Sequence, residues 1–167
     1  APFSDLDTIC TNDWWNRAPN PIHEVKVDKV VVAAIVERKN KDDFRGYTLL
    51  NEALREQNPD KLARAITSLE NAIQYDPHNE AAMLDLGNAY SANYRFEEAR
   101  ATMDRLLEFY PEYDKALNIK AYTYLMEAQV RQEPALLDEA IAVFNQAIQS
   151  NHKFYTGHYN LGLCYAY

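Results

Sequence analysis

The chain has 167 residues, with 17 Lys and Arg against 25 Asp and Glu, a formal net charge of −8 and a pI near 5.0. That balance argues against a nucleic-acid partner, because affinity for phosphate comes from clustered cations that release counterions. With 47 % hydrophobic and 25 % charged residues the sequence is far from the composition of disordered chains, and one domain with a sizeable core is expected.

Residues 1–19 follow no sustained period, and Trp14-Trp15 read as an irregular arm whose indoles pack on the remainder. Asn20-Pro21 supplies an N-cap and a first-turn proline. Val27, Val30, Val31, Ala34 and Ile35 then share one helical face, which predicts a capping helix of about 17 residues. The β-branched run would also suit a strand, but no other segment offers a pairing partner. Val30 to Val36 is the longest apolar run, well short of the roughly 20 residues a membrane-spanning helix needs, so no span is expected. Cys10 and Cys164 have no metal-type spacing; two buried free thiols are expected, with pairing across the chain ends as the alternative.

From residue 46 a 34-residue period sets in. Its clearest copy, 80–113, carries Met83, Leu86, Gly87 and Tyr90 in the first half, then Ala99, Met103 and Pro111. One period earlier, 46–79 places Ala53, Ala65, Leu69, Ala72 and Pro77 in register, although Glu52 and Glu56 stand where apolar residues are due. One period later, Leu117, Ala121 and Tyr124 agree, with Lys120 in place of a leucine. The register then slips by seven residues near 130–136, around Glu133-Pro134, before Ala140, Phe144 and Ala147 resume it. A last half-copy, 155–167, holds His158, Leu161, Gly162 and Tyr165.

In spacing and residue type this pattern resembles the tetratricopeptide repeat, over residues 46–167. The resemblance implies an all-α fold, a right-handed α-solenoid of about three and a half helix-turn-helix units, preceded by residues 1–45 as arm and capping helix. Small residues at motif positions 8 and 20 let two antiparallel helices approach, larger ones at 11 and 24 fill the space between pairs, and proline at 32 ends the second helix. Tyr90, Tyr124 and Tyr165 share a packing position, whereas Tyr94, Tyr110 and Tyr167 have no role the repeat defines.

No catalytic set stands out. His23, His78, His152 and His158 are scattered, and Glu97-Glu98 and Asp42-Asp43 sit at expected helix starts, where carboxylates complement the macrodipole. Neither metal nor other cofactor is expected, and the function implied is that of a protein-interaction scaffold or assembly module. In the family the concave groove is lined by positions 2, 5, 9 and 12 of each first helix. That resemblance implies Tyr47, Leu50, Leu54 and Gln57; Ala81, Leu84, Asn88 and Ser91; Lys115, Asn118, Tyr122 and Leu125; and Thr156, Tyr159, Leu163 and Ala166. Of these, Tyr47, Leu50, Asn88, Lys115, Asn118, Tyr122 and Tyr159 are the expected partner-binding residues. Asparagines bond a peptide backbone, and tyrosines give rigid contact area at low entropic cost. Family members that clamp the terminal carboxylate of chaperone tails need a Lys, Asn, Asn, Lys, Arg set. In this chain those positions carry Leu50, Leu54, Asp85, Lys115 and Ile119, so a carboxylate clamp is not expected.

Residues 46–167 hold ten cations against 17 acids, which favours a neutral or basic protein partner. The last helix begins a unit with no second half to cover it, which fits a regulatory or targeting fragment of a larger, possibly enzymatic polypeptide, or a subunit covered by another chain or by self-association. The Met-less Ala1-Pro2 start suits either an exported, periplasmic mature form or a cut fragment.

Overall fold

A computed structural model describes residues 29–166. The arm with Trp14-Trp15, the Asn20-Pro21 start, Cys10 and His23 lie outside the described residues. Those described are helical, with no strand among them: α1 Lys29–Glu56, α2 Pro59–Tyr75, α3 Glu80–Ala92, α4 Phe96–Phe109, α5 Asp114–Arg131, α6 Ala135–Ser150 and α7 Tyr155–Ala166. One compact unit begins at Ile35, and the packing described below belongs to it. Residues 29–34, the opening turns of α1, fall in the preceding unit.

Helices α1/α2, α3/α4 and α5/α6 form three successive antiparallel pairs, and α7 opens a fourth, so the fold is an all-α solenoid. Val30–Val36 is helical rather than extended. The helix does not stop before the first repeat, however: α1 runs unbroken through residues 45 and 46, and the expected boundary between capping helix and repeat falls inside it. The polar stretch Arg38–Asp43 contains no proline or glycine that would end a helix, and Asp42-Asp43, expected at a helix start, lie inside α1 instead. Termination comes at Gln57, whose φ of 51° leaves the helix, followed by Asn58. The Asn58 side chain accepts from the amides of Asp60 and Lys61, and Pro59 occupies the first turn of α2.

The seven-residue slip leaves no long loop. Helix α5 has 18 residues where α3 has 13, α6 has 16 where α4 has 14, and both intervening turns are three residues long. The insertion is absorbed as helix, and the left-handed Gln132 (φ 56°) matches Tyr94 (φ 59°) in the preceding unit.

Motif positions behave as packing positions where a neighbour is present. Ala65, Ala99 and Ala140 are fully buried, as are Leu69, Met103 and Phe144. Glu52 and Glu56 share one partner, Lys61 of α2, at 2.8 and 2.9 Å, and Lys120 meets Asp104 at 2.6 Å. These charged departures from the motif are therefore joined across helices. The core forms two clusters: one from Leu49 to Ile119, the other around Ala121, Leu125, Ala140, Phe144 and Cys164.

Two glycines separate positions that need a missing side chain from one that does not. A β-carbon on Gly46 would lie 2.6 Å from Leu69 Cγ and 3.3 Å from the Leu69 backbone nitrogen, whereas one on Gly162 would meet nothing within 4 Å. Gly46→Ala is expected to destabilise by about 1–3 kcal/mol through overpacking. Gly162→Ala is expected to stabilise α7 by up to about 1 kcal/mol through helix propensity alone. Paired urea titrations check both signs.

Candidate functional site

Three polar links hold the first helices of successive units beside one another. Asn79, the N-cap of α3, donates to Asp43 of α1 at 3.1 Å while its oxygen accepts from the Ala82 amide. Ser91 of α3 and Thr123 of α5 share a buried hydroxyl hydrogen bond of 2.7 Å, and Thr123 also donates to the Ile119 carbonyl. Asn160 of α7 donates to Asn118 of α5 at 3.1 Å. Helices α1, α3, α5 and α7 thus form a continuous row.

The expected groove residues divide by exposure. Tyr47, Asn88, Lys115, Tyr122 and Tyr159 are all exposed, Tyr159 at 68 %. Thr156, Leu54 and Leu163 are exposed as well, and Leu84 is half-buried. Leu50 is not available: it is 4 % exposed and belongs to the core, because this position of α1 faces α2. Ser91 and Leu125 are likewise buried, and Gln57 lies in the α1–α2 turn rather than on a first helix. Asn118 is half-buried with its amide oxygen already engaged by Asn160. Tyr165, expected as a packing residue, is exposed, because no following helix among the described residues covers its position. Tyr90 does pack, and its hydroxyl donates to Glu70 of α2 at 2.5 Å.

Electrostatics on the same row are acidic. Asp85 of α3 is pushed up to about 6, first by burial and then by the neighbouring charge of Asp43. The folded value exceeds the ordinary 3.8, so the ionised carboxylate costs stability above pH 6, and that cost fades as pH falls from 6 towards 4. The shift corresponds to about 3 kcal/mol at full burial and, for a half-exposed group, to about 1–2 kcal/mol. Asp85→Asn is expected to raise stability by that amount at pH 7.5 and by almost nothing at pH 4, as read by urea unfolding at both values.

One buried charged cluster carried no motif signal. Glu127 of α5 is 1 % exposed and is gripped by Arg100 of α4 and, at 2.9 Å, by Arg131. Arg131 continues to Glu97 at 3.2 Å, and the Arg100 guanidinium lies 4.6 Å over the Tyr124 ring. Glu97 is therefore part of an ion-pair network between neighbouring units as well as a first-turn carboxylate. The only hint in the sequence is an acidic residue on the buried stripe of α5 beside Ala128. Cys164 is buried, and desolvation raises its thiol pKa. Among the described residues no group of three or more His, Cys, Asp and Glu is placed to hold a metal ion, and no helix is long and apolar enough to cross a membrane.

The tetratricopeptide-repeat family model matches residues 54–121. No curated protein matches the sequence. Among solved structures, the chain is similar to the first TPR domain of the human RPAP3 protein, with a TM-score of 0.57, 14 % identity, and 74 % of this chain and 92 % of that one covered. The second TPR domain of human RPAP3, solved with the HSP70 peptide SGPTIEEVD, gives 0.57, 17 %, 75 % and 97 %. A thermophilic TPR protein of Thermus thermophilus, TTC0263, gives 0.59, 18 %, 72 % and 64 %.

Proposed function

We propose that this chain, whose residues 54–121 match the tetratricopeptide-repeat family model, is a protein-interaction module that takes an extended partner segment along the row of first helices α1, α3, α5 and α7. The observation that carries this reading is the succession of exposed Tyr47, Asn88, Lys115, Tyr122 and Tyr159 on helices tied side by side through polar links that are buried or partly buried. Rigid backing of this kind presents aromatic and amide groups at low entropic cost. Tyr155, Tyr159 and Leu163, spaced i, i+4 and i+8, give α7 an exposed apolar edge of their own.

The partner segment is neutral or basic, because the solenoid carries most of the net charge of −8 and Asp85 faces Asp43 with no cation shifting it the other way. One TPR neighbour is bound to an acidic HSP70 peptide, but here Leu54, Asp85 and Ile119 occupy positions where a carboxylate clamp needs Asn, Asn and Arg. The test is selection of peptides from a random display library, followed by affinity measurement. Selected peptides are expected to lose at least about tenfold in affinity on the double substitution Tyr122→Ala/Tyr159→Ala, the loss typical of contact-centre aromatics. SGPTIEEVD is expected not to bind. Peptides indifferent to both tyrosines would remove the proposal.

A further inference from the structure

Outside the first-helix row, a recess of about 630 Å³ opens where the start of α3 meets the α4–α5 turn, lined by Glu80, Phe109, Tyr110, Pro111, Glu112 and Tyr113. Its walls are three aromatic rings and two carboxylates, with no cation among them. Phe109 and Tyr110 are 47 % and 43 % exposed, although both are large aromatic side chains. Their planes are set by edge-to-face contacts: Phe109 against His78 at 4.7 Å and 72°, Tyr110 against Tyr113 at 6.1 Å and 72°.

The potential in the recess is negative. Glu80 hydrogen-bonds the Tyr110 hydroxyl and, by that bond and its charge, raises the phenol pKa. Tyr113 is raised by burial and then by the charges of Glu80 and Asp114. The nearby Arg105 is turned to the Pro77 carbonyl, at 3.4 Å. A neutral apolar occupant would cover Glu80 and Glu112 without pairing them, and an anion would be repelled. A cation satisfies both walls at once, with its charge over ring faces and its N–H groups on carboxylates. Among biological cations the guanidinium is flat, weakly hydrated and suited to stacking, whereas an ammonium is compact and strongly hydrated.

We infer that this recess is a second binding site, distinct from the first-helix row, that accepts an arginine side chain of a partner polypeptide between the Phe109, Tyr110 and Tyr113 rings and the Glu80 and Glu112 carboxylates. The site draws on the turn between two units, so it stands or falls separately from the proposed groove.

The test uses the full chain, labelled with nitrogen-15 and titrated with N-acetyl-arginine amide. Amide shifts are expected to cluster at Glu80 and at residues 109–113 and to saturate in the millimolar range. N-acetyl-citrulline amide, of the same shape without charge, is expected to bind at least about tenfold more weakly, and N-acetyl-lysine amide about threefold more weakly. Glu112→Gln is expected to reduce arginine affinity about three- to tenfold, with an unchanged melting curve showing that the fold is intact. Free L-arginine, whose own carboxylate meets Glu80 and Glu112, is expected to bind more weakly than the capped form. Equal binding of citrulline, no effect of Glu112→Gln, or shifts scattered elsewhere would overturn the site. Lysine binding as tightly as arginine would overturn the choice of cation, and free arginine binding as tightly as the capped form would overturn the choice of a polypeptide source. Shifts at Asn88, Lys115 and Tyr122 instead would report the groove, not the recess, and would overturn the site as well.

Discussion

Arg100→Met is expected to destabilise the protein by about 3 kcal/mol, at the lower end of what breaking a buried ion pair costs. Glu127 is almost wholly enclosed and has two cationic partners, Arg100 and Arg131. Arg131 remains in the variant, but its side chain is 45 % exposed and shared with Glu97, so it compensates only part of the charge. Methionine keeps much of the volume packed over Tyr124, which separates the loss of charge from the loss of packing. If the unpaired carboxylate is the cause, adding Glu127→Leu to Arg100→Met recovers most of the lost stability, since two apolar residues replace the pair without leaving a charge behind. Urea unfolding of the two single variants and the double variant checks this. A double variant as unstable as the sum of the singles would assign the effect to packing instead.

Phe144→Ala is expected to cost about 3–5 kcal/mol, the range for removing a fully buried aromatic side chain. Phe144 has no exposed surface and anchors the second core cluster with Ala121, Leu125, Ala140 and Cys164. In a solenoid each pair contacts only its neighbours, so the damage is local. Amide hydrogen exchange is expected to show α6 and α7 losing protection by two or more orders of magnitude while α2 and α3, built on the first cluster, keep theirs. Uniform loss across all seven described helices would mean that the two clusters unfold as one.

The repeat was legible because its signal is steric and recurs: Ala99 and Met103 find each other's counterparts in Ala65 and Leu69, and in Ala140 and Phe144, at matching burial. The seven-residue slip was visible as a shift of register, but its destination was not, since a helix extended by five residues and a loop extended by five residues look alike when neither holds a breaker. The junction of α1 was misread for the opposite reason. Gly46 marks a close approach to Leu69, not a boundary, and the polar residues before it are consistent with an exposed helix as much as with a linker. Motif position alone also misplaced Leu50, Ser91 and Leu125, because packing against neighbouring helices takes them up: Leu50 and Leu125 enter the two core clusters, and Ser91 bonds Thr123 of α5. Glu127 and the recess at residues 109–113 were invisible for want of periodicity: the first pairs residues of neighbouring units, and the second joins the two ends of one copy, 80–113, which meet only after folding.

Whether the first-helix row is where this protein meets its partner is decided by mapping a library-selected peptide onto the full chain by amide chemical shift. The expected map runs across α3, α5 and α7 through Asn88, Lys115, Tyr122 and Tyr159, and leaves the outward positions of α2, α4 and α6 unmoved. Shifts confined to the second helices of the pairs, with Asn88, Tyr122 and Tyr159 unmoved, would contradict it.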